Sequence, residues 1–463
     1  MHVFTMPAEN WDETQPDKQA VLHLIQKHES GRGHLEKLKR YYEGKHEILN
    51  DKDRQNKLIC NHAKDISDTA TAYFIGNTVA YKSKEDITVL TDALEIAGAD
   101  EADGDNGLDL SIYGRAYEYI YTEQDGTDLK IKNLEPENTF MVYDDSIEQN
   151  ELFAVYYYAK KDSTDKTNVV YVATVLTENY KYVLNIQNID TPQALIEMPE
   201  QHFKREVPVI EYWNNKLGLG DYELQIPLID AYNVLMSDRV TDKEQFIDAI
   251  LAIYGAILSD EGTGDEGTEE GKGRAVMKHL RKEKMIEFPE DAKAEYLTRT
   301  FDENGVEILK KAIEQDIHKF SHVPCMTDEA FGGNISGVAM EFKLLGMENI
   351  TKIKTRYYKK GLRKRLRIFA SFYENKAVMI NVNGITPVFT RALPKNLLEI
   401  SQIVANLWGK VGKKTLLSQI PFVDDPDEEL ETIEKEEQQA LEKQQAIFGK
   451  FSNKPPDEEE IDE

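Results

Sequence analysis

Cysteine is scarce in this chain of 463 residues, which contains only Cys60 and Cys325. Two cysteines so far apart cannot build a disulfide framework and are typical of a reducing compartment. Residues 1–18 contain neither a basic region nor an apolar core, so no secretory signal peptide is expected. The longest apolar run, 249–258, is about half the length of a membrane-spanning helix. We therefore expect a soluble, cytoplasmic protein without membrane contact.

Positive charge is in deficit, since 56 Lys and Arg stand against 84 Asp and Glu, for a formal net charge of −28. A chain with this balance repels nucleic acid and anionic membranes. This argues against a tight DNA binder that reads sequence. It does not exclude a protein past which DNA slides without sticking.

Motifs for nucleotide chemistry are missing. The glycine-rich stretch 264–273 superficially resembles a phosphate-binding loop, but Lys272 is followed by glycine rather than Ser or Thr. Four carboxylates in the stretch would also repel a phosphate. We therefore expect a flexible loop there and no ATP hydrolysis by this chain.

Metal-ligand patterns are incomplete. His318 and His322 have the spacing of a zinc-binding helix, yet Lys319 stands where the catalytic Glu belongs, and spacing suggests no third ligand. The acidic segment 100–107 hints at a calcium loop, but Leu108 occupies the position that requires glycine, so we expect a solvated turn. The sequence thus predicts no catalytic, cofactor or metal site, and no enzyme.

The most informative segment is an unusually long predicted helix, 227–258. Pro227 suits the first turn of a helix, and apolar residues recur at helical spacing at both ends of the segment. Its middle, 237–245, is mostly charged. A helix buried along its whole length would not have such a middle. We predict a rod that leaves one packed region, crosses a wet one and enters another.

The remaining pattern predicts an α+β protein. Gly31 and Gly33 are expected to separate two short helices, and tyrosine-rich, β-branched strands dominate the first half. The predicted helices are 17–29, 34–45 and 57–74 before the rod, then 296–322 and a long basic helix 338–372 after it. An acidic tail covers 424–463.

The basic helix concentrates its cations between Lys352 and Arg367, with tyrosines among them. Basic residues with interleaved aromatics can contact phosphates. Alternatively, a solvated helix face neutralises the acidic remainder, even across a subunit boundary. We favour neutralisation, and both interpretations stay open.

Several segments, in order and spacing, resemble the portal proteins of tailed bacteriophages, of the type found in siphophages of Gram-positive hosts. They include DISDTATAYFIGNTVAY at 65–81, SIYGRAY at 111–117, EYWNN at 211–215, LIDAYN at 228–233 and GNISGVA at 333–339. In that family the subunits form a ring, commonly of about twelve, at one capsid vertex. The resemblance implies a channel for DNA packaging, retention and ejection, with no chemistry of its own.

The resemblance also implies the regions of a portal fold. These are an α/β wing (1–226 and 338–390), two stem helices (227–256 and 292–322), a small α/β clip (257–291), a tunnel loop (323–337), and a helical crown with the acidic C-terminal tail (391–463).

Two sets of site residues follow. The tunnel loop that touches DNA would contain Asp328, Glu329, Phe331, Gly332, Gly333 and Asn334, where paired glycines permit rearrangement. Candidates that line the channel in the stem are Asp238, Asp242, Lys243, Glu244 and Asp248. Repeated around a ring, the acidic ones would form bands that repel DNA; alternatively, Arg239 and Lys243 form ion pairs between subunits.

The implied partners are other copies of the chain, double-stranded DNA that passes without sequence specificity, terminase, head-completion or adaptor proteins, and the major capsid and scaffolding proteins. The location would be the capsid vertex of the virion, after assembly in the host cytoplasm. Two alternatives remain: a metal-dependent nucleic-acid-processing enzyme that uses the abundant carboxylates, and a scaffold or adaptor without a channel.

Overall fold

The computed structural model describes residues 3–123, 126–161, 169–186, 194–196, 199–202, 204–247, 250–254, 293–297, 303–326, 337–391, 397–418 and 429–439, with the single positions 420, 423 and 426. The chain divides into two units. The larger comprises Met1–Cys325 and Met347–Thr390, and the smaller comprises Met326–Gly346 and Arg391–Glu463.

The elements within these residues mix helix and strand throughout, so the predicted α+β class is confirmed. The helices are α1 (Lys18–Tyr42), α2 (His62–Ile75), α3 (Thr88–Ile96), α4 (Ala99–Tyr113), α5 (Ile226–Ile247), α6 (Glu303–Ser321), α7 (Gly337–Glu374), α8 (Leu397–Leu407) and α9 (Lys413–Leu417). The strands are β1 (Phe4–Met6), β2 (Ala80–Lys82), β3 (Arg115–Thr122), β4 (Leu129–Leu134), β5 (Thr139–Asp144), β6 (Glu151–Lys161), β7 (Val169–Leu176), β8 (Tyr180–Ile186), β9 (Ala194–Ile196), β10 (Glu200–Gln201), β11 (Val209–Trp213), β12 (Ile250–Tyr254), β13 (Lys293–Leu297) and β14 (Thr386–Val388).

Two sheets organise the larger unit. The first has the order β1-β5-β6-β7-β8-β10, with β9 also paired to β8, and the second has the order β11-β3-β4. Helix α1 lays Val21, Leu22 and Ile25 on the first sheet, against the buried rings of Phe140 and Phe153. The meander that was predicted from alternating tyrosines and β-branched residues is confirmed for β6, β7 and β8.

Helix α1 is continuous, so the predicted break at Gly31 and Gly33 is wrong. Each glycine costs a helix roughly 1 kcal/mol relative to alanine. The helix buries Ile25 before the glycines and Leu38 after them. Burial of those side chains outweighs the local cost, because it requires both halves to share one axis.

The segment 100–107 lies in α4, so the predicted solvated turn is also wrong. Asp103 and Asn106 are buried on the inner face of this helix. A polar inner face destroys the amphipathic pattern by which a helix is recognised in a sequence. The partner that makes this burial possible lies more than 250 residues away on α7 and is described below.

The predicted rod 227–256 is too long at its C-terminal end. Helix α5 stops at Ile247, and β12 pairs antiparallel with β13, with Ile250 opposite Leu297. Correspondingly, the second rod starts at Glu303 rather than near residue 296. An apolar run of this length does not distinguish helix from strand by periodicity, and ILAIY is rich in strand-forming residues. The predicted clip, 257–291, lies outside the described residues.

The basic helix is confirmed as a single element, α7, of 38 residues. At 1.5 Å per residue it is about 57 Å long. Among the described helices, none combines the length and apolarity needed to cross a bilayer.

Candidate functional site: the paired rods and the basic helix

Helices α5 and α6 are held together by an ion-pair ladder. Arg239 donates from Nη1 to Glu307 Oε2 at 2.8 Å and from Nη2 to Glu303 Oε1 at 3.3 Å. Lys243 Nζ lies 2.8 Å from Glu303 Oε2. Both cations therefore form ion pairs within their own chain.

The ladder keeps its carboxylates charged. Hydrogen bonds from Lys243 and then Arg239 lower the pKa of Glu303, and a hydrogen bond from Arg239 lowers the pKa of Glu307. All four side chains are partly or largely in solvent. Exposed pairs of this kind contribute little to stability one by one.

Two acidic candidates on α5 face a segment of the same chain. Asp238 pairs with Arg54, and Glu244 accepts from Asn56 Nδ2 at 2.6 Å. Arg54 and Asn56 thus partly compensate the negative charge of these two residues, although both side chains are exposed. The acidic band predicted for the stem is weaker than a sum of formal charges suggests.

The remaining predicted site residues are Asp242, Asp248 and the tunnel-loop set. Asp242 lies on α5 and is half-buried. Asp248 and the whole tunnel-loop set, Asp328, Glu329, Phe331, Gly332, Gly333 and Asn334, lie outside the described residues.

Helix α6 carries large apolar side chains that are exposed to solvent in the single chain. Ile308 is 70% exposed, Leu309 50% and Phe320 55%. At 100° per residue these three lie on one side of the helix. The buried Ile317 borders this stripe, about 60° from Phe320 around the helix. An apolar stripe on a charged protein marks a contact surface.

Helix α7 buries three of its cations against carboxylates of the same unit. Arg365 donates from Nε to Glu118 Oε1 at 2.8 Å and from Nη2 to Asp103 Oδ1 at 2.6 Å. Lys354 Nζ lies 2.7 Å from Asp221 Oδ2, and Lys364 pairs with Glu151.

This burial revises the interpretation of the basic helix. Neutralisation of acidic residues is what the structure shows for these three cations, but the neutralising face is buried within one chain rather than solvated. Burial is the largest influence on Asp103 and raises its pKa, while the Arg365 guanidinium opposes that rise. A guanidinium between two carboxylates is needed to keep such a group in the core.

The outer face of α7 is also basic. Arg356, Lys360, Arg363 and Arg367 are exposed at spacings of four, three and four residues, which places them in one row. Arg367 binds Glu206, with Nε 2.6 Å from Oε1. We call these four residues the outer basic row.

The histidines considered for zinc are used otherwise. His318 Nδ1 lies 3.0 Å from the carbonyl oxygen of Val323, and its ring packs edge-on against His62 with centroids 5.5 Å apart. Within the described ranges, no group of three or more His, Cys, Asp or Glu is arranged to hold a metal ion.

Sequence reasoning missed the inward role of Arg365, although a signal was present. Tyr358, Leu362, Arg365 and Phe369 follow each other at helical spacing, and all four are fully buried. A cation inside an apolar stripe predicts a buried ion pair, because an unpaired charge there would be too costly. The identity of its partners, Asp103 and Glu118, is not encoded locally.

Comparison with known proteins gives one consistent result. A family model described as "Phage portal protein, SPP1 Gp6-like" matches residues 22–443. The portal protein of Bacillus phage SPP1 is 26% identical over 437 residues, which cover 89% of this chain and 82% of that protein. The portal protein of Clostridium phage phiCD119 is 24% identical over 233 residues, or 49% of this chain and 48% of the relative.

Proposed function

Because this chain belongs to the SPP1 Gp6-like family of phage portal proteins, we propose that it forms a ring-shaped channel at one capsid vertex, through which DNA is packaged, retained and ejected. Portal proteins are components of the virion capsid. The family is structural in general, and we propose the same for this chain rather than an enzyme.

The observation that carries ring formation is the apolar stripe on α6. Ile308, Leu309 and Phe320 would cost free energy on every isolated subunit, at roughly 25 cal/mol per Å2 of apolar surface left in water. A neighbouring copy that covers the stripe removes this cost. Since the ladder to α5 occupies a different side of α6, one rod can contact its own partner and a second subunit together.

Passage of DNA is supported by the charge of the chain. Each phosphate that a protein neutralises adds affinity and slows sliding. The ladder and the Arg54 and Asn56 contacts moderate the negative charge of the stem without reversing it. We propose that Asp238 and Asp242, which lie about 40° apart on one side of α5, face the channel as a weakly repulsive surface, although Asp238 also pairs with Arg54.

We retain the regional assignment of a wing, stem, clip, tunnel loop and crown, with the stem helices shortened to 226–247 and 303–321. The loop 328–334 is proposed to contact DNA in the channel, and the clip to dock terminase and then head-completion proteins. Deletion of 328–334 should leave rings intact but impair packaging; normal packaging would remove the loop from the mechanism.

Ring formation is tested by electron microscopy and mass photometry of the purified full chain. We expect rings, commonly of about twelve subunits in this family, and we expect Leu309→Glu to shift the population to monomers. Lys311→Glu, an exposed position on another side of α6, is the matched control and should still form rings. A wild-type protein that remains monomeric at high concentration would refute the channel and favour the adaptor alternative.

A further inference from the structure

A cavity of about 700 Å3 lies in the larger unit, where the two sheets meet the C-terminal end of α7. Its lining includes Tyr119 and Tyr121 of β3, Leu176 of β7 and Phe372 of α7. Its volume is in the range of small-molecule sites. None of the channel functions proposed above uses this space.

A buried lysine is among the residues that line the cavity. Lys204 is 5% exposed, and its Nζ lies 6.0 Å from the centroid of the Tyr119 ring. Among the described residues no carboxylate lies within ion-pair distance of it. The neighbouring Glu200 is taken by Lys181, at 2.9 Å. Lys204 is therefore a buried cation whose charge is only partly compensated.

Burial lowers the pKa of Lys204 to about 8. At neutral pH most molecules consequently carry the charged ammonium in a poorly solvated place. A buried ammonium without a carboxylate is unfavourable, and a bound anion would relieve it.

The side chains that line the cavity favour a ligand with a flat, apolar part. The Tyr119 and Tyr121 rings stack with centroids 5.5 Å apart. Leu134 and Leu176 are buried beside them. Aromatic and aliphatic lining side chains favour flat or branched apolar groups over free phosphate.

We propose that this cavity, the tyrosine pocket, binds a singly charged organic anion with a flat apolar body, whose charged group contacts the Lys204 ammonium. A second negative charge would have no equivalent partner. Lys181 is committed to Glu200, and Lys376 donates to the Thr127 carbonyl oxygen and lies 3.6 Å from Asp128.

The test uses two probes with similar bodies and different charge, on the full-length protein. One is 8-anilinonaphthalene-1-sulfonate, and the other is the uncharged N-phenyl-1-naphthylamine. Fluorescence titration should show that Lys204→Met weakens binding of the sulfonate about tenfold or more, the usual worth of a charge-assisted contact. The neutral probe should change less than about threefold. Lys18→Met, an exposed lysine at the start of α1, is the control and should change neither affinity.

A second arm uses the wild-type protein and so does not depend on folding of the variant. Sulfonate affinity should fall between pH 7 and pH 9.5, as Lys204 loses its proton, while affinity for the neutral probe stays constant. His202 and Tyr119 do not change charge in this range, because burial lowers the pKa of His202 to about 4 and raises that of Tyr119 to about 12. The other titratable lining groups are Tyr121, Tyr156, Lys181, Glu200 and Lys376. Burial raises the pKa of Tyr156 to about 12, and the last three form the ion pairs given above.

Three results would overturn the proposal: equal loss of both probes in Lys204→Met, an equal effect of Lys18→Met, or sulfonate binding that is independent of pH. Each of them would assign probe binding to general apolar surface. Ring formation is measured in a separate experiment. A result that refutes anion binding in the cavity can therefore be distinguished from one that refutes the proposed channel.

Discussion

Arg365 and Glu118 are separated by 247 residues, yet the guanidinium Nε lies 2.8 Å from the carboxylate Oε1 and both side chains are excluded from solvent. Asp103 and the hydroxyl group of Tyr358, which donates to Asp103 at 2.6 Å, complete the cluster. Three elements meet there: α4, β3 and α7. This contact fixes how the long basic helix sits on the body of the larger unit.

Replacing Arg365 with leucine should destabilise the larger unit by about 3–5 kcal/mol, since removing one partner leaves the buried carboxylates without compensation. Urea unfolding followed by tryptophan fluorescence measures the change. Arg367→Leu is the matched control, because that arginine pairs with Glu206 at the surface and should cost about 1 kcal/mol or less. Similar losses in both variants would contradict a special role for the cluster.

Gly361 allows α7 to touch a tyrosine ring. A Cβ added there would lie 2.3 Å from Cε1 of Tyr212, which is fully buried and stacked on Tyr358 with centroids 4.4 Å apart. Gly361→Ala should lower the thermal midpoint, since overpacking costs about 1–3 kcal/mol and exceeds the gain of up to roughly 1 kcal/mol in helix propensity.

The control for that substitution is Gly31→Ala in α1, where nothing lies within 4 Å of an added Cβ. Only the gain in helix propensity applies there, so its midpoint should rise. If both alanines shift the midpoint in the same direction, the close approach of α7 to Tyr212 does not determine the effect of Gly361→Ala on stability.

Stability should fall in mild acid because of His28. This side chain is 1% exposed, its Nδ1 lies 2.7 Å from the Tyr157 hydroxyl oxygen, and burial lowers its pKa to about 4. Between about pH 6.5 and pH 4 the unfolded chain binds a proton that the folded chain does not, so the free energy of unfolding decreases as pH falls, by up to about 3 kcal/mol from this group.

Urea midpoints at pH 7 and pH 4.5 measure that effect. His28→Gln should show a smaller difference between the two pH values than the wild type does. His23→Gln, at an exposed position of the same helix, should keep the full difference. If His28→Gln kept the full difference in urea midpoint between the two pH values, the acid sensitivity would belong to other groups, such as the buried His202.

The ladder between α5 and α6 predicts rescue by charge exchange. Arg239→Glu places like charges opposite Glu303 and Glu307 and should lower the thermal midpoint. The double variant Arg239→Glu with Glu307→Arg should recover part of the loss, because one pair is rebuilt in reverse. Absence of any recovery would mean that the two rods separate in solution.

The outer basic row distinguishes the two interpretations of α7. If it neutralises the acidic surface of neighbouring subunits, Lys360→Glu with Arg363→Glu should lower the fraction of rings in mass photometry, and added salt should reduce the difference. DNA affinity, measured on the same samples, should then change little. Unchanged rings with weakened, less salt-dependent DNA binding would instead support contact with phosphates.

Much of the architecture was encoded locally. Alternation of tyrosines and β-branched residues predicts β6 to β8, and unbroken helical spacing with repeated cations predicts α7, since both patterns depend on neighbours along the chain. Likewise, the missing Ser or Thr after Lys272 and the scarcity of cysteine are properties of the sequence alone. Family membership, carried by short segments such as EYWNN, was recognisable for the same reason.

Only the tertiary structure decided where helices end and which charges meet. Gly31 and Gly33 do not break α1, because Ile25 and Leu38 pack on either side of them. The strand that follows α5 exists because β13, which begins 39 residues after β12 ends, supplies its hydrogen bonds. The acidic segment of α4 folds inward because Arg365 is there to receive Asp103. The strand after α5 and the inward side of α4 depend on partners that are distant in sequence, and in all three cases burial or pairing free energy exceeds the local preference.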